Sequence, residues 1–267
     1  MDLFYRKFGE GPPLIILHGL YGSSDNWVSI GKKLASFFEV YLIDQRNHGK
    51  SPHSPQHNYP LLKEDLREFM DKHSLDKAII MGHSMGGKTA MYFAADYPER
   101  VSSLIVIDIA PGSYKGTESS QLITHSTIIN AMYNVDFSKV NSRKEIEKVL
   151  APSIPSKRVR QFLLKNAGRT RANRFAWRLN IETINNQLGN IMDGLDVEKF
   201  NGGNGITGFP VLFIKGEKSD YIGLEDEKAI STLFPYAEIE TIPDTGHWLH
   251  AEKPERFLQT IQSFLGE

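Results

Sequence analysis

The chain has 267 residues, 40% of them hydrophobic, which is enough for one large α/β domain or for a domain carrying an insertion. Lysine and arginine total 31 against 32 aspartates and glutamates, a net charge of −1, so no global field recruits nucleic acid or an anionic membrane. Cysteine is absent, which excludes disulfides, thiolate metal sites and a cysteine nucleophile.

The amino-terminal stretch MDLFYRKFGEGPPLIILHG holds a five-residue apolar run and no cleavage-site pattern. It predicts neither a signal peptide nor a spanning helix, and points to a cytoplasmic location. Leu3 to Phe8 reads as a short edge strand closed by the Gly9, Gly11, Pro12, Pro13 turn, and Leu14 to Leu17 as a buried strand ending at His18-Gly19. Behind the capping candidates Ser24 and Asp25, Trp27, Ile30, Leu34 and Phe37 recur at helical spacing. Val40 to Ile43 is another apolar strand, ending in Asp44. The loop QRNHGKSP follows, then a helix opened near Pro60 with Leu62, Leu66, Phe69 and Met70 inward.

Residues 78–95, AIIMGHSMGGKTAMYFAA, read strand, sharp turn, helix. A Gly-x-Ser-x-Gly core in that context is a nucleophile elbow, in which small neighbours let strand and helix approach closely around a strained serine. Ser84 then stands at the carboxyl edge of the sheet, with the Met85 N–H and the positive helix end directed toward any oxyanion formed there. The same residues satisfy a second pattern, G-x-x-x-x-G-K-[ST], through Gly82, Gly87, Lys88 and Thr89. That phosphate-cradling reading needs a magnesium-holding aspartate, for which Asp44 or Asp108 could stand. It leaves His18-Gly19, the elbow serine and Gly246-His247 without roles.

Leu104 to Ile107 is the next strand, ending at Asp108. From Ser113 to about Asn204 strand-like runs vanish and amphipathic helical patterns replace them. Ile123, Ile128 and Met132, then Ile146, Val149 and Leu150, then Phe162, Leu163, Phe175 and Trp177 mark their apolar faces. The sequence therefore predicts an inserted helical lid over 113–205, between core segments 1–112 and 206–267. Gly202, Gly203, Gly205 and Gly208 read as its return hinge. Gly203-x-Gly205-x-x-Gly208 has the letters of a dinucleotide fingerprint, but a strand, Val211 to Ile214, follows where a helix is required. A helix from Leu224 to Phe234, a strand from Ala237 to Ile242 and a last helix carrying Phe257, Leu258, Ile261 and Phe264 complete the chain. Continuous apolar strands alternating with helices specify a parallel sheet covered on both faces, with functional residues at the carboxyl ends. Those ends deliver His18, Asp44, Ser84, Asp108, Ser219 with Asp220, and His247. His247, in a glycine-flanked loop after the last strand, is placed to reach Ser84 as a general base.

The order serine, acid, histidine and the motifs HGLYGSSDNW, DQRNHGKSP, GHSMGGK, VIDIAP and GHWLHAEKP resemble serine hydrolases of the α/β-hydrolase fold, and more closely the YbfF-type esterases and their mitochondrial relatives. The resemblance covers roughly residues 12–112 and 206–267; the lid is similar only in length and helical character. It implies a serine carboxylesterase that acts without cofactor or metal on small to medium acyl esters or thioesters, through an acyl-enzyme. A carbon–carbon bond hydrolase or lyase on the same residues, or a non-hydrolytic ligand receptor, is the alternative. The resemblance makes Ser84 the nucleophile and His247 the base, with the N–H groups of Leu20 and Met85 as oxyanion hole. Arg46 and His48 then mainly hold the site together. The common family pattern sets the acid in a Gly-Glu-x-Asp turn, where this chain has Gly216-Glu217-Lys218-Ser219 and an aspartate, Asp220, one residue late. The YbfF-type subgroup resembles this chain in having an aspartate before Ile-Ala-Pro, so Asp108 is the expected acid, Asp220 the alternative and Ser219 a supporting partner. His18, His83, Trp177 and Trp248 are candidates to line the substrate pocket, and Phe162 and Phe175 are first of all lid core. Lys88 is expected on a helix surface, and His125 and His250 show no metal-ligand pattern.

Overall fold

The computed structural model describes residues 1–116, 119–197 and 203–267. In chain order the first part holds strands β1 (Tyr5–Phe8) and β2 (Pro13–Leu17), helix α1 (Val28–Leu34), β3 (Glu39–Ile43), α2 (Tyr59–Lys72), β4 (Ala78–His83), α3 (Met85–Asp96) and β5 (Val101–Ile107). An inserted segment follows with α4 (Ser120–Tyr133), α5 (Arg143–Leu150), α6 (Lys157–Leu164), β6 (Ala167–Arg169), β7 (Phe175–Trp177), α7 (Ile181–Asn186) and α8 (Leu188–Ile191). The chain returns as β8 (Val211–Gly216), α9 (Leu224–Leu233), β9 (Glu238–Ile242), α10 (Leu249–Glu252) and α11 (Pro254–Leu265).

Seven strands form one sheet in the order β1-β3-β2-β4-β5-β8-β9, with β1 antiparallel to β3 and every other pair parallel. The central strands are mostly apolar and buried because both faces are covered. Alternate residues serve opposite faces. Ile15, Leu17, Ile80, Leu104 and Val106 pack with Leu66, Phe69, Ala90 and Phe93 of α2 and α3, while Leu14, Ile16, Met81, Ile105 and Ile107 pack with Ile30, Leu34, Phe257 and Ile261 of α1 and α11. Asn58 opens α2 by accepting the Leu61 N–H at 3.0 Å, with Pro60 in the first turn where its missing donor costs nothing. Helical spacing extends the predicted first helix to Phe37, yet α1 closes at Leu34. The chain must turn there to enter β3, so Phe38 is buried and Phe37 is left 38% exposed.

Side chains of Ser119, Ser142, Ser156 and Asn180 cap α4, α5, α6 and α7 of the insertion by accepting backbone N–H groups. Ile129, Met132, Ile146, Leu163 and Ile184 are buried in a cluster of their own, which also takes in Leu20, Tyr21 and Met85 from the sheet's edge. The predicted all-helical insertion needs one correction. Phe175 and Trp177 lie on an antiparallel hairpin, paired with Arg169 and Ala167, whose turn holds Asn173 at φ 60°. Strands of three residues are too short to show a period of two in sequence, so two aromatics one residue apart pass for part of a helix face. Gly202 lies outside the described residues. Gly205 (φ 64°) and Gly208 (φ 103°) lead into β8 and not into a helix, which removes the dinucleotide reading. No helix among the described residues is long and apolar enough to cross a membrane.

Where the insertion leaves and rejoins the sheet, the two chain segments lie side by side: Leu195 N–H donates to Pro111 O at 2.9 Å and Tyr114 N–H to Met192 O at 2.8 Å. Lys88 joins them. Its side chain is buried rather than on the expected surface, because α3 is covered by the insertion as well as by the sheet. Nζ donates to the carbonyls of Pro111 (3.3 Å), Gly112 and Asp193 (2.7 Å), two on the outgoing chain and one on the returning chain, and sits 4.8 Å above the Tyr114 ring. Burial pushes Lys88 down to about 7, opposed by Asp193 and Asp226, while three acceptors suit an ammonium with three donors. Lys88→Met, close in volume but without donors, leaves the Gly112 and Asp193 carbonyls unpaired, while Pro111 O keeps the Leu195 N–H, and is expected to cost about 1–3 kcal/mol. Urea unfolding with limited proteolysis checks this: the midpoint falls and cleavage near Pro111 and Asp193 accelerates, whereas an unchanged midpoint would show that Lys88 does not join the segments.

Candidate active site

Ser84 follows β4 directly, at φ 52° and ψ −119°, a conformation that costs an L-residue about 1–3 kcal/mol. Two close approaches hold it there. A Cβ on Gly82 would stand 2.2 Å from the Gly86 carbonyl oxygen, and one on Gly86 would stand 2.3 Å from that of Leu17. Ser84 N–H donates to Ile107 O at 3.0 Å, continuing the β4–β5 ladder by one step. Since His83 pairs with Ile107, Asp108 emerges beside Ser84, also with a positive φ of 51°. Neighbouring parallel strands thus end in a serine and an aspartate.

Asp108 is fully buried and its carboxylate accepts three hydrogen bonds. Oδ1 accepts the Gly216 N–H at 2.9 Å, and Oδ2 accepts His247 Nδ1–H at 2.7 Å together with the Ser219 hydroxyl. Asp220 turns elsewhere: its carboxylate accepts the Ser120 hydroxyl at 3.0 Å and its carbonyl the Gln121 amide at 3.0 Å, both on α4. One residue in the turn after β8 separates a partner of Asp108 from an anchor for the insertion. His247 keeps Nε2 for other contacts, its backbone oxygen accepts from His83 Nε2 at 2.8 Å, and the two rings lie 4.6 Å apart. Gly246, one residue before it, donates its N–H to Glu252 at 3.0 Å, which ties the loop to α10.

Tyr221 stacks on the His247 ring at 4.0 Å and 19°, and its hydroxyl meets Nε2 of His125 from α4 at 3.0 Å. His125 Nδ1 lies 3.2 Å from the Tyr21 hydroxyl. This Tyr21–His125–Tyr221 bridge links the insertion to the face of His247. Sequence reasoning missed it, because the three residues lie about a hundred positions apart and carry no motif.

The other expected site residues are placed as follows. His18 is buried, with Nε2 accepting the Gln45 N–H at 3.0 Å and Nδ1 facing Gly19 O at 2.9 Å, so it braces the loop before Leu20. Leu20 and Met85 are buried, and among the described residues neither backbone N–H donates to a protein acceptor. His83 lies against Gly19, whose added Cβ would meet its Nδ1 at 2.7 Å. Trp177 packs in the insertion: its Nε1–H donates to Met132 O at 3.0 Å, its ring meets Phe137 edge-on, and it lies against the cluster that takes in Leu20 and Met85. Trp248 packs on Phe162 at 5.3 Å, with its ring 6.2 Å from that of His247. Arg46 forks onto Asp65 through Nε (2.6 Å) and Nη2 (2.8 Å), and His48 Nδ1 faces Arg46 O, so both hold the loop after β3.

Residues 12–254 match the family model described as alpha/beta hydrolase fold. The chain belongs to this family. It is 38% identical over 270 residues to the zebrafish Danio rerio protein named sn-1-specific diacylglycerol lipase ABHD11, covering 99% of this chain and 81% of that one. It is 32% identical over 255 residues to Esterase YbfF of Escherichia coli, covering 96% and 93%. A solved structure titled marine microorganism esterase is 48% identical, with a TM-score of 0.93 and 99% of both chains covered.

Within this α/β-hydrolase fold the competing phosphate-loop pattern loses its working parts. Lys88 is committed to the hinge carbonyls, and the Thr89 hydroxyl to Gln45 Oε1 (3.0 Å) and Met85 O (3.1 Å). Buried imidazoles surround the junction. Burial pushes His18 and His125 down to about 4, and His48 and His250 down to about 3. Such rings are neutral when folded and protonate near a pKa of about 6.5 once unfolded. The unfolded chain therefore binds more protons as pH falls, and the fold loses stability from about pH 6.5 downward. Denaturant midpoints at pH 7.5, 6.0 and 5.0 should fall in that order, and imidazole nitrogen spectra should show these four rings still neutral at pH 5. Ordinary titration of all four near 6.5 would contradict the burial argument.

Proposed function

We propose that this ester-hydrolysing member of the family cleaves small to medium acyl esters or thioesters by acyl transfer through Ser84, with His247 as base and Asp108 as its orienting acid. The observation that supports this most is the Asp108–His247 hydrogen bond at 2.7 Å, formed beside a serine held at positive φ. With Nδ1–H given to Asp108, Nε2 is the nitrogen free to take the Ser84 hydroxyl proton. Oγ then bonds to the acyl carbon and the carbonyl oxygen becomes an oxyanion. The unpaired N–H groups of Leu20 and Met85, aided by the positive end of α3, receive that charge. His247 returns the proton to the departing alcohol or thiol, leaving an acyl-serine. Water, deprotonated by the same nitrogen, repeats the sequence and releases the acid. Asp108 remains ionised throughout and stabilises the imidazolium. In this reading the insertion is a lid, and Tyr221 is a positioning residue that keeps the His247 ring in its plane.

Ser84→Ala is expected to abolish both turnover of short acyl esters and labelling by a fluorophosphonate, with an unchanged circular dichroism spectrum. A wild type that binds ligands but neither labels nor turns over would favour a receptor instead. Asp108→Asn should lower kcat by up to ~10⁴, by analogy with the serine-protease triad, while Asp220→Asn stays close to wild type; the opposite ranking overturns the assignment. Tyr221→Phe should retain activity. Tyr221→Ala, which removes a stacking contact of about 0.5–1.5 kcal/mol, should lower kcat up to about tenfold with little change in KM. A loss of kcat in Tyr221→Phe as large as that in Tyr221→Ala would refute the stacking role.

A further inference from the structure

A cleft of about 730 Å³ lies between the insertion and the sheet domain, where Trp248 and His250, just after His247 in the chain, line it. Five cationic side chains of the insertion line it: Arg143, Lys144, Arg158, Lys165 and Arg178. Two carboxylates join them, and both are already engaged, Asp25 with Arg6 and Glu147 with Arg160 at 3.4 Å. Arg158 pairs with Glu252 at 3.2 Å, but Arg143, Lys144, Lys165 and Arg178 form no ion pair with any carboxylate among the described residues. Arg143 donates to Ala167 O at 2.9 Å, a neutral acceptor that leaves its charge uncompensated. Four cations without a carboxylate partner along one cleft repel one another, and an anion in the cleft relieves that repulsion. In a chain of net charge −1, this is a local concentration and not a consequence of composition.

The opposite wall is contributed by the sheet domain. Trp248 lies under the Arg158 guanidinium at 5.7 Å and against Phe162 at 5.3 Å, giving an apolar face. His250 also lines the cleft. It is buried, stacked on Trp27 at 4.2 Å and 15°, and its Nδ1 has no hydrogen-bond partner among the described residues. Burial, His247, Arg158 and Lys165 together keep that ring neutral, so the field of the lining cations is already felt there.

We propose that this cleft is a binding site for a soluble phosphate-bearing small molecule, held between the cationic insertion and the Trp248 wall. A single carboxylate cannot balance the excess of cations, whereas a phosphate ester or diphosphate carries two or more charges and offers the oxygen geometry that arginine forks match. All five cations are exposed along this open cleft, within reach of a dissolved ligand, and Trp248 gives a small molecule an apolar wall to lie against. Because Trp248 follows His247, an occupant braces the segment carrying that histidine. The binding stands independently of the acyl-transfer reading.

Inorganic pyrophosphate is the probe, titrated by calorimetry into the full chain at low salt and again at 0.3 M sodium chloride. Saturable one-to-one binding, weakened by salt, is expected. Lys144→Gln/Lys165→Gln, both at exposed positions, should raise Kd by about tenfold per cation removed while the melting temperature without ligand is unchanged. Lys148→Gln, on α5 but outside the cleft, should bind as wild type does. Absence of binding at millimolar pyrophosphate, or equal Kd values for the double variant and Lys148→Gln, would overturn the site. Binding to phosphatidylglycerol vesicles but not to pyrophosphate would overturn the soluble ligand in favour of a membrane surface.

Discussion

Everything near Ser84 depends on how closely α3 approaches the ends of β2 and β4. Gly82 and Gly86 are the points of contact, and any side chain there would drive a carbon to within 2.4 Å of backbone oxygen. That approach holds a serine at a positive φ, which the isolated residue avoids. It also sets the direction of α3, and with it the positions of Lys88 and Thr89 one turn further on. A steric constraint at two glycines therefore places both the candidate nucleophile and the cation that ties down the insertion.

The insertion meets the sheet domain through a few specific contacts. Lys88 gathers its two ends, Asn180 donates its N–H to Asn47 O at 3.0 Å, and His125 lies between Tyr21 and Tyr221. Its apolar cluster also takes in the side chains of Leu20 and Met85, whose backbone N–H groups are the proposed oxyanion donors. Packing of the insertion and geometry at Ser84 are thus coupled through the same two residues. The buried imidazoles of His18, His125 and His250 carry no charge at neutral pH, which avoids the cost of burying several cations.

The alternation of apolar strands and helices was legible because the central strands are buried on both faces and most helices on one. Asp108 was legible as the preferred partner of His247 only through a resemblance of motifs; its geometry rests on the β4–β5 register and on the Gly216 N–H. Trp177 illustrates the limit. Its apolar character and its place in the insertion are plain in sequence, yet whether it faces a ligand or its own core depends on a hairpin of three residues per strand. Lys88 was misjudged for a related reason, since a charged residue on a helix looks solvated until a second layer is known to cover it.

By itself the sequence determined the sheet, the elbow and the candidate serine and histidine, because those follow from local spacing and from steric rules that act over a few residues. The tertiary structure alone decided that Asp220 turns to α4 while Asp108 meets His247, that Tyr221 stacks on that ring, and that five cations of the insertion share one cleft. Each of these joins residues far apart in the chain, and their contacts depend on strand register, loop direction and the docking of one segment on another, which no local pattern encodes.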